Sequence, residues 1–137
     1  MGTATVKAES EQSLLWGPTC LRFLDRLYRH PSKASQGYYY KNHCQYFAAL
    51  HDSLGEISRV LKRRGSCALV VQNSHYKELL NDLPKVCIEM AESHGMALES
   101  AWGFEVTQSI SRLNANARKY ALPSRREYEE VVVLSKT

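Results

Sequence analysis

SCALVVQNSHYKE, residues 66–78, changes character halfway along its length. Residues 67–71 form an unbroken apolar run, whereas the residues from Gln72 to Lys77 are polar or able to form hydrogen bonds. A short apolar run bounded by turn-forming residues is typical of a buried strand. Because every position in the run is apolar, we expect both faces of this strand to be covered, as in a parallel sheet.

Hydrophobic periodicity and capping residues on either side of this strand predict the remaining elements. In chain order these are a helix over 18–28, a loop over 31–41, a helix over 42–62, the strand 67–71, a helix from Asp82 to about Gly95, a strand over 97–106, a loop over 107–126 and a strand over 128–134. Alternating helices and strands joined by right-handed crossovers indicate an α/β fold with a three-layer sheet.

Length and composition are those of one globular domain. The chain has 137 residues, 44% of them apolar and 23% charged, so we expect a flexible N-terminus over 1–12 and a single domain over 13–137. No apolar run approaches the ~20 residues of a membrane-spanning helix. The cysteines lack metal-ligand spacing, so we expect a cytoplasmic protein with reduced thiols and no metal site.

Four segments of the sequence carry a family resemblance. They are GYYYKNHCQYF (37–47), LGEISRVLKRRG (54–65), CALVVQNSHYKELLNDLP (67–84) and EMAESHGM (89–96). Together they resemble the C-terminal half of bacterial class I S-adenosylmethionine-dependent DNA methyltransferases, which modify an exocyclic amine of cytosine or adenine. The resemblance extends over about 14–135 and implies a DNA-modification setting, such as restriction–modification.

The resemblance implies a specific fold. The predicted strands would be the fifth, sixth and seventh strands of a Rossmann-like methyltransferase sheet, with their flanking helices. Strands 97–106 and 128–134 would form the antiparallel pair that ends such a sheet. The expected fold class is therefore an α/β, Rossmann-like methyltransferase half-sheet that ends in an antiparallel strand pair.

Two motifs of this family are missing from the sequence. There is no glycine-rich GxG turn for the cofactor, and the nearest approach to the Pro-Pro-aromatic motif that grips the target amine is Gly17–Cys20, with one proline and no aromatic residue. Methyl transfer requires the cofactor and the amine to be held in line. We therefore assign no catalytic residue and expect S-adenosylmethionine to bind only if a partner chain completes the fold.

The absent half also has a consequence for association. The strand 67–71 would normally pair with a strand of that half, and an uncovered apolar edge favours pairing with another chain. We expect the partner to be either a second polypeptide or a second copy of this chain.

The polar residues that follow this strand are candidates for a substrate pocket, because ligands gather at the carboxyl ends of parallel strands. The candidate residues are Gln72, Asn73, Ser74 and Tyr76. The alternative is a polar turn whose side chains cap the neighbouring backbone.

Other residues are candidates for contact with nucleic acid, because they combine aromatic faces with positive charge. They are Tyr39, Tyr40, Lys41, Lys77, Arg118, Arg125 and Arg126. The alternatives are tyrosines that cover a core edge and cations that lie in solvated loops. The formal net charge of +4 permits DNA binding without requiring it.

These observations predict a methyltransferase-like protein that needs a partner chain in order to methylate a base amine. Two alternatives remain open at the level of sequence. One is a non-catalytic, self-associating scaffold that keeps the half-fold, and the other is a nucleic-acid-binding protein.

Overall fold

Three helices and five strands make up the regular structure of residues 13–106 and 128–137, which are the residues that the computed structural model describes. The helices are α1 (Pro18–Arg29), α2 (Tyr40–Val60) and α3 (Leu83–Ser93), and the strands are β1 (Ser66–Gln72), β2 (Ser74–Tyr76), β3 (Leu79–Asn81), β4 (Met96–Glu105) and β5 (Tyr128–Lys136). The predicted flexible N-terminus, 1–12, lies outside the described residues.

The helix boundaries lie close to those predicted, and at α3 a local capping residue accounts for the start of the helix. Asp82 caps α3 by accepting a hydrogen bond from the Lys85 backbone N–H at 3.3 Å. α2 begins at Tyr40, after a π-helical turn over Ser35–Tyr39 that lies within the predicted loop. In the described part of the chain, no helix is long and apolar enough to cross a membrane.

α1 takes its N-terminal cap from a distant residue. Gly17, which precedes α1, has a φ of 87° and no side chain to offer. The Glu89 carboxylate of α3 replaces that cap, accepting from the Thr19 backbone N–H at 2.9 Å and from the Thr19 hydroxyl at 2.7 Å. A Cβ at Gly17 would lie 2.5 Å from Glu89 Oε2, so the close approach of α3 requires glycine here.

The sheet contains β1, β5 and β4 in that order, and β5 is antiparallel to both neighbours. The predicted antiparallel pairing of the last two strands is confirmed. β1 and β4 therefore run parallel to each other with β5 between them.

The predicted parallel environment of β1 is wrong within the described residues, because β1 pairs with β5 in antiparallel fashion. Its burial alternates: Leu69 and Val71 are half-buried in the core, whereas Val70 is 66% exposed. An unbroken apolar run shows that both faces tolerate burial, but it does not show that both faces are covered.

One hydrophobic cluster joins the helices to the sheet. α3 packs against β1, β4 and β5, and α1 and α2 pack against α3. Phe47, Leu27 and Met90 from the helices are fully buried together with Val132 and Leu134 of the central strand β5. The three-layer sheet that we predicted is not seen in the described residues, because the outer sheet face exposes Val70.

The sequence between β1 and α3 forms a hairpin that periodicity did not predict. β2 and β3 pair in antiparallel fashion, with Tyr76 opposite Leu79 and a two-residue turn of Lys77 and Glu78. Lys77 has a φ of 53°, the left-handed conformation that such tight turns need. Because the turn lacks the usual glycine or asparagine, its sequence gives little sign of a hairpin.

Candidate functional site

The hairpin places the predicted pocket residue Tyr76 in a group of rings that we call the tyrosine–histidine cluster, formed by His30, Tyr39, His43 and Tyr76. The Tyr76 ring centroid lies 4.9 Å from that of Tyr39, 5.6 Å from His30 and 6.5 Å from His43. Tyr76 is 8% exposed, whereas Tyr39 is 39% exposed. Tyr76 therefore holds Tyr39 in place, and Tyr39 provides the accessible ring surface.

A chain of hydrogen bonds fixes Tyr76 through the loop that follows α1. The Tyr76 hydroxyl lies 2.9 Å from Ser32 Oγ, Ser32 Oγ lies 2.7 Å from His30 Nδ1, and His30 Nε2 lies 2.6 Å from Glu78 Oε1. This chain of hydrogen bonds joins Tyr76 to Glu78 at the hairpin turn through Ser32 and His30, which are distant from the hairpin in sequence.

The direction of this chain follows from one backbone contact. The Ser32 backbone N–H donates to His30 Nδ1 at 3.1 Å, so Nδ1 is an acceptor and the ring proton lies on Nε2. His30 then donates to Glu78, Ser32 donates to His30, and the Tyr76 hydroxyl donates to Ser32. Every donor in the chain has an acceptor, and the chain holds the Tyr76 side chain by its hydroxyl group.

The pKa values of two groups in and beside the cluster, Glu78 and His43, are lowered for different reasons. Hydrogen bonds from its own backbone N–H and from His30 lower the pKa of the Glu78 carboxyl. Burial lowers the pKa of His43, whose Nδ1 donates to the Tyr39 carbonyl at 2.8 Å. His43 is therefore an uncharged ring beside Tyr39 at neutral pH.

The end of β1 carries buried amide oxygens without donors. In the described residues, Asn73 Oδ1 and Asn81 Oδ1 are both buried and accept no hydrogen bond. Asn81 is 3% exposed, and its Nδ2 donates to the Ser74 hydroxyl at 3.0 Å across the hairpin. Because buried acceptors are normally paired, these oxygens are suited to a bound group that donates hydrogen bonds.

Of the other predicted pocket residues, Gln72 is half-buried at the end of β1 and Ser74 is exposed at the start of β2. The β2 strand is short, so Asn73 and Tyr76 are separated by about 10 Å of extended backbone. The structure therefore brings the predicted pocket residues to one end of β1, and their contact with a substrate stays a prediction.

The residues predicted to contact nucleic acid differ in how exposed they are in the structure. Tyr40 is half-buried against the core with its ring centroid 5.1 Å from that of Tyr28, which fits the alternative of a tyrosine covering a core edge. Lys41 is exposed on α2, and Lys77 Nζ lies 5.9 Å from the Tyr76 ring centroid. The predicted contacts at Arg118, Arg125 and Arg126 lie outside the described residues.

Sequence reasoning missed His30, Ser32, His43 and Glu78 as parts of the site. His30 and Ser32 lie just after the predicted first helix, and they meet Tyr76 through tertiary packing. His43 lies in the predicted helix 42–62 and Tyr39 in the predicted loop 31–41, so helical spacing did not link the two residues.

The described residues contain few candidate groups for metal binding or for nucleophilic catalysis by a thiol. Within 13–106 and 128–137, no group of three or more His, Cys, Asp or Glu side chains is placed to hold a metal. The cysteines are free, and burial raises the pKa of Cys87 to about 11. Comparisons with protein-family models, curated proteins and solved structures found no match to this chain.

Proposed function

We propose that this chain is the C-terminal half-domain of an S-adenosylmethionine-dependent DNA methyltransferase. In this proposal, the end of β1 forms part of the pocket for the target base. A partner chain supplies the glycine-rich cofactor site and the motif that grips the target amine. The buried, unpaired Oδ1 of Asn73 is the observation that carries the proposal.

Asn73 has the chemistry that recognition of an exocyclic amine requires. Enzymes that modify a base take it out of the stack, read its polar edge by hydrogen bonds and stack its face on side chains. The amine donates hydrogen bonds, and Asn73 Oδ1 is an acceptor that lacks a donor in the described residues. Tyr39 provides a partly exposed ring one strand length away, backed by Tyr76.

The strand arrangement supports the same proposal. The resemblance requires a sheet that ends in an antiparallel pair, and β4 and β5 form such a pair. β1 and β4 are parallel, and the chain between them passes through α3, as in a βαβ unit with one strand inserted.

The free edge of β1 supports the requirement for a partner. In the described sheet, β1 pairs with β5 on one side only. Its sequence, SCALVVQ, contains no charged residue and no proline, the residues with which edge strands discourage pairing. A strand of the cofactor-binding half would cover this edge and continue the sheet.

Reconstitution tests the proposal. The tagged chain is purified from its native host, its co-purifying protein is identified, and transfer of a tritiated methyl group from S-adenosylmethionine to DNA is measured. We expect activity only when the two chains are mixed. Methyl transfer by this chain alone, or a mixture that transfers no methyl group, contradicts the proposal.

The variant Asn73→Ala distinguishes a role of this residue in the base pocket from a general effect on the assembly of the two chains. Loss of one hydrogen bond to the target amine is expected to lower the rate about tenfold in the mixture, since such bonds contribute about 1.5 kcal/mol. Asn42→Ala on α2 removes the same amide away from β1 and is expected to leave the rate unchanged. Equal losses in the two variants contradict the assignment of Asn73.

One observation favours the second candidate, a self-associating scaffold. The sheet exposes Val70 on β1 and both Trp102 and Phe104 on β4, which are 66%, 54% and 46% exposed. An apolar surface of this kind favours association. A tight dimer by light scattering, with no heat of binding on addition of S-adenosylmethionine and no cofactor-binding partner, identifies the scaffold.

A further inference from the structure

A hollow in the protein surface lies beside the hairpin, on the face opposite Tyr76. Its volume is about 260 Å³, and it lies between α1, β3 and the start of α3. Tyr76 pairs with Leu79, and His75 pairs with Leu80, so Tyr76 and Leu80 point to opposite faces of the hairpin. Leu80 lines the hollow.

Three cations surround this hollow, which we call the arginine–lysine groove. Arg22 and Arg26 lie one turn apart on α1, and Lys85 approaches from the first turn of α3. Among the described residues, none of the three forms an ion pair. Asp82 is the acidic residue of the lining, and its Oδ1 accepts from the Lys85 backbone N–H.

Other arginines, one on α1 and one on α2, are neutralised by neighbours. Arg29 lies 3.0 Å from Asp25, and Arg59 lies 2.9 Å from Glu56. The groove therefore concentrates positive charge that has no ion-pair partner among the described residues. Such a surface attracts anions, most strongly those with several charges in a row.

The floor of the groove is apolar. The Phe23 ring lines it and is nearly buried, and Leu80 is 47% exposed at its wall. An inorganic anion would leave Leu80 in contact with water. A ligand with phosphates beside apolar sugar and base surfaces would cover the leucine and meet the cations together.

We propose that the arginine–lysine groove binds the sugar–phosphate backbone of single-stranded nucleic acid. Backbone binding itself is independent of methyl transfer. The role of this binding in methyl transfer rests on the proposed function. The groove and the tyrosine–histidine cluster lie on opposite faces of one hairpin, so the groove would hold the nucleic-acid backbone next to the nucleotide whose base enters the pocket.

Binding of a fluorescein-labelled twelve-nucleotide single strand to the full chain, measured by anisotropy over a range of salt concentrations, tests this proposal. Each phosphate contact to a single strand contributes about 0.7 to the slope of log affinity against log salt concentration, which is about fivefold at 0.1 M salt. We expect Arg22→Gln/Arg26→Gln to lower affinity about twenty-five-fold and the slope by about 1.4.

Arg59→Gln is the control, because it removes one positive charge from an exposed arginine that is already ion-paired, the same change in charge as in the single variant Lys85→Gln. Lys85→Gln is a second, independent variant on α3 and is expected to lose about fivefold. Circular dichroism of each variant verifies that the fold is intact.

Three results overturn the proposal. The first is the absence of oligonucleotide binding at low salt, and the second is an equal loss of affinity in Arg59→Gln. The third is that inorganic polyphosphate binds as tightly as the oligonucleotide and loses affinity by the same factors in the groove variants. That result would identify a general anion-binding surface. The two proposals can fail separately. If the groove variants lose binding but the mixture of the two chains transfers no methyl group, the groove is a nucleic-acid-binding site and the methyltransferase proposal is rejected.

Discussion

β1 and β4 are the two edge strands of the described sheet, and they are protected in different ways. β4 has a register shift between Leu98 and Ser100, and it carries Glu99 and Glu105. Bulges and charged side chains discourage pairing with another strand. β1 has an unbroken register with β5 from Ser66 to Gln72 and no charge along its length.

This difference indicates which edge ends the sheet and which edge is available for continuation. A protein that needed to remain alone would be expected to blunt both edges. Only β4 carries such features in the described residues. The comparison therefore supports a partner strand at β1, whether it comes from a cofactor-binding chain or from a second copy.

The largest expected effect tests how much both edges depend on the central strand. Leu134 of β5 is fully buried and lies opposite Leu98 of β4, which is 44% exposed. We expect Leu134→Ala to lower the free energy of unfolding by about 2–5 kcal/mol, because it leaves a cavity in the core. Leu98→Ala, the same chemical change, should cost less than about 1 kcal/mol in urea denaturation. Equal costs would mean that the edge strand is as well packed as the centre.

The next prediction tests the edges directly. We expect the purified chain to self-associate through β1 as its concentration rises, and Val70→Lys to reduce this association at least tenfold in light-scattering measurements. Phe104→Lys removes a comparable apolar surface from β4, where the edge is already charged, and should leave association nearly unchanged. Equal effects would assign association to the apolar sheet face and not to the β1 edge.

A smaller effect is expected where β1 passes into the hairpin. Removing the hydroxyl that donates to Ser32 in Tyr76→Phe should lower the free energy of unfolding by about 1 kcal/mol. Tyr39→Phe provides the control, and its cost should stay within about 0.5 kcal/mol. If the two variants have the same stability, the hydrogen-bond chain does not anchor the end of β1.

The smallest effect concerns pH. Hydrogen bonds from its own backbone N–H and from His30 lower the pKa of Glu78 below the ordinary value of 4.5. Its contribution to stability is therefore present above the unfolded-state pKa and is lost as pH falls through the lower folded-state value. Wild type should exceed Glu78→Gln in melting temperature at pH 6, and the difference should diminish as the pH falls through the lowered folded-state pKa of Glu78. A difference that grows on acidification contradicts this sign.

Local signals were sufficient for much of the fold. Asp82 predicted the start of α3, the patterns near 97–106 and 128–134 predicted two strands, and the family resemblance implied that these strands pair in antiparallel fashion. Capping and alternation are properties of neighbouring residues, so one sequence can display them. The direction of β1 was beyond such signals, because it depends on a partner strand about sixty residues away.

The candidate site was predictable only in part for the same reason. Asn73 and Tyr76 follow an apolar strand, so their position at its end could be read from the sequence. The contacts of Tyr76 with His30, Ser32 and Tyr39 depend on how the α1–α2 loop packs on the hairpin. No periodicity in either segment encodes that packing.

The shared cap between α1 and α3 has a consequence for the order of folding. Because Gly17 cannot cap α1 and Glu89 does so, the first turn of α1 becomes stable only after α3 has docked. Its amide protons should therefore exchange with solvent by global opening and not by fraying of the helix end. Since Arg22 follows Thr19 by one turn and Lys85 precedes Glu89 by one, both walls of the arginine–lysine groove then assemble in a single cooperative step.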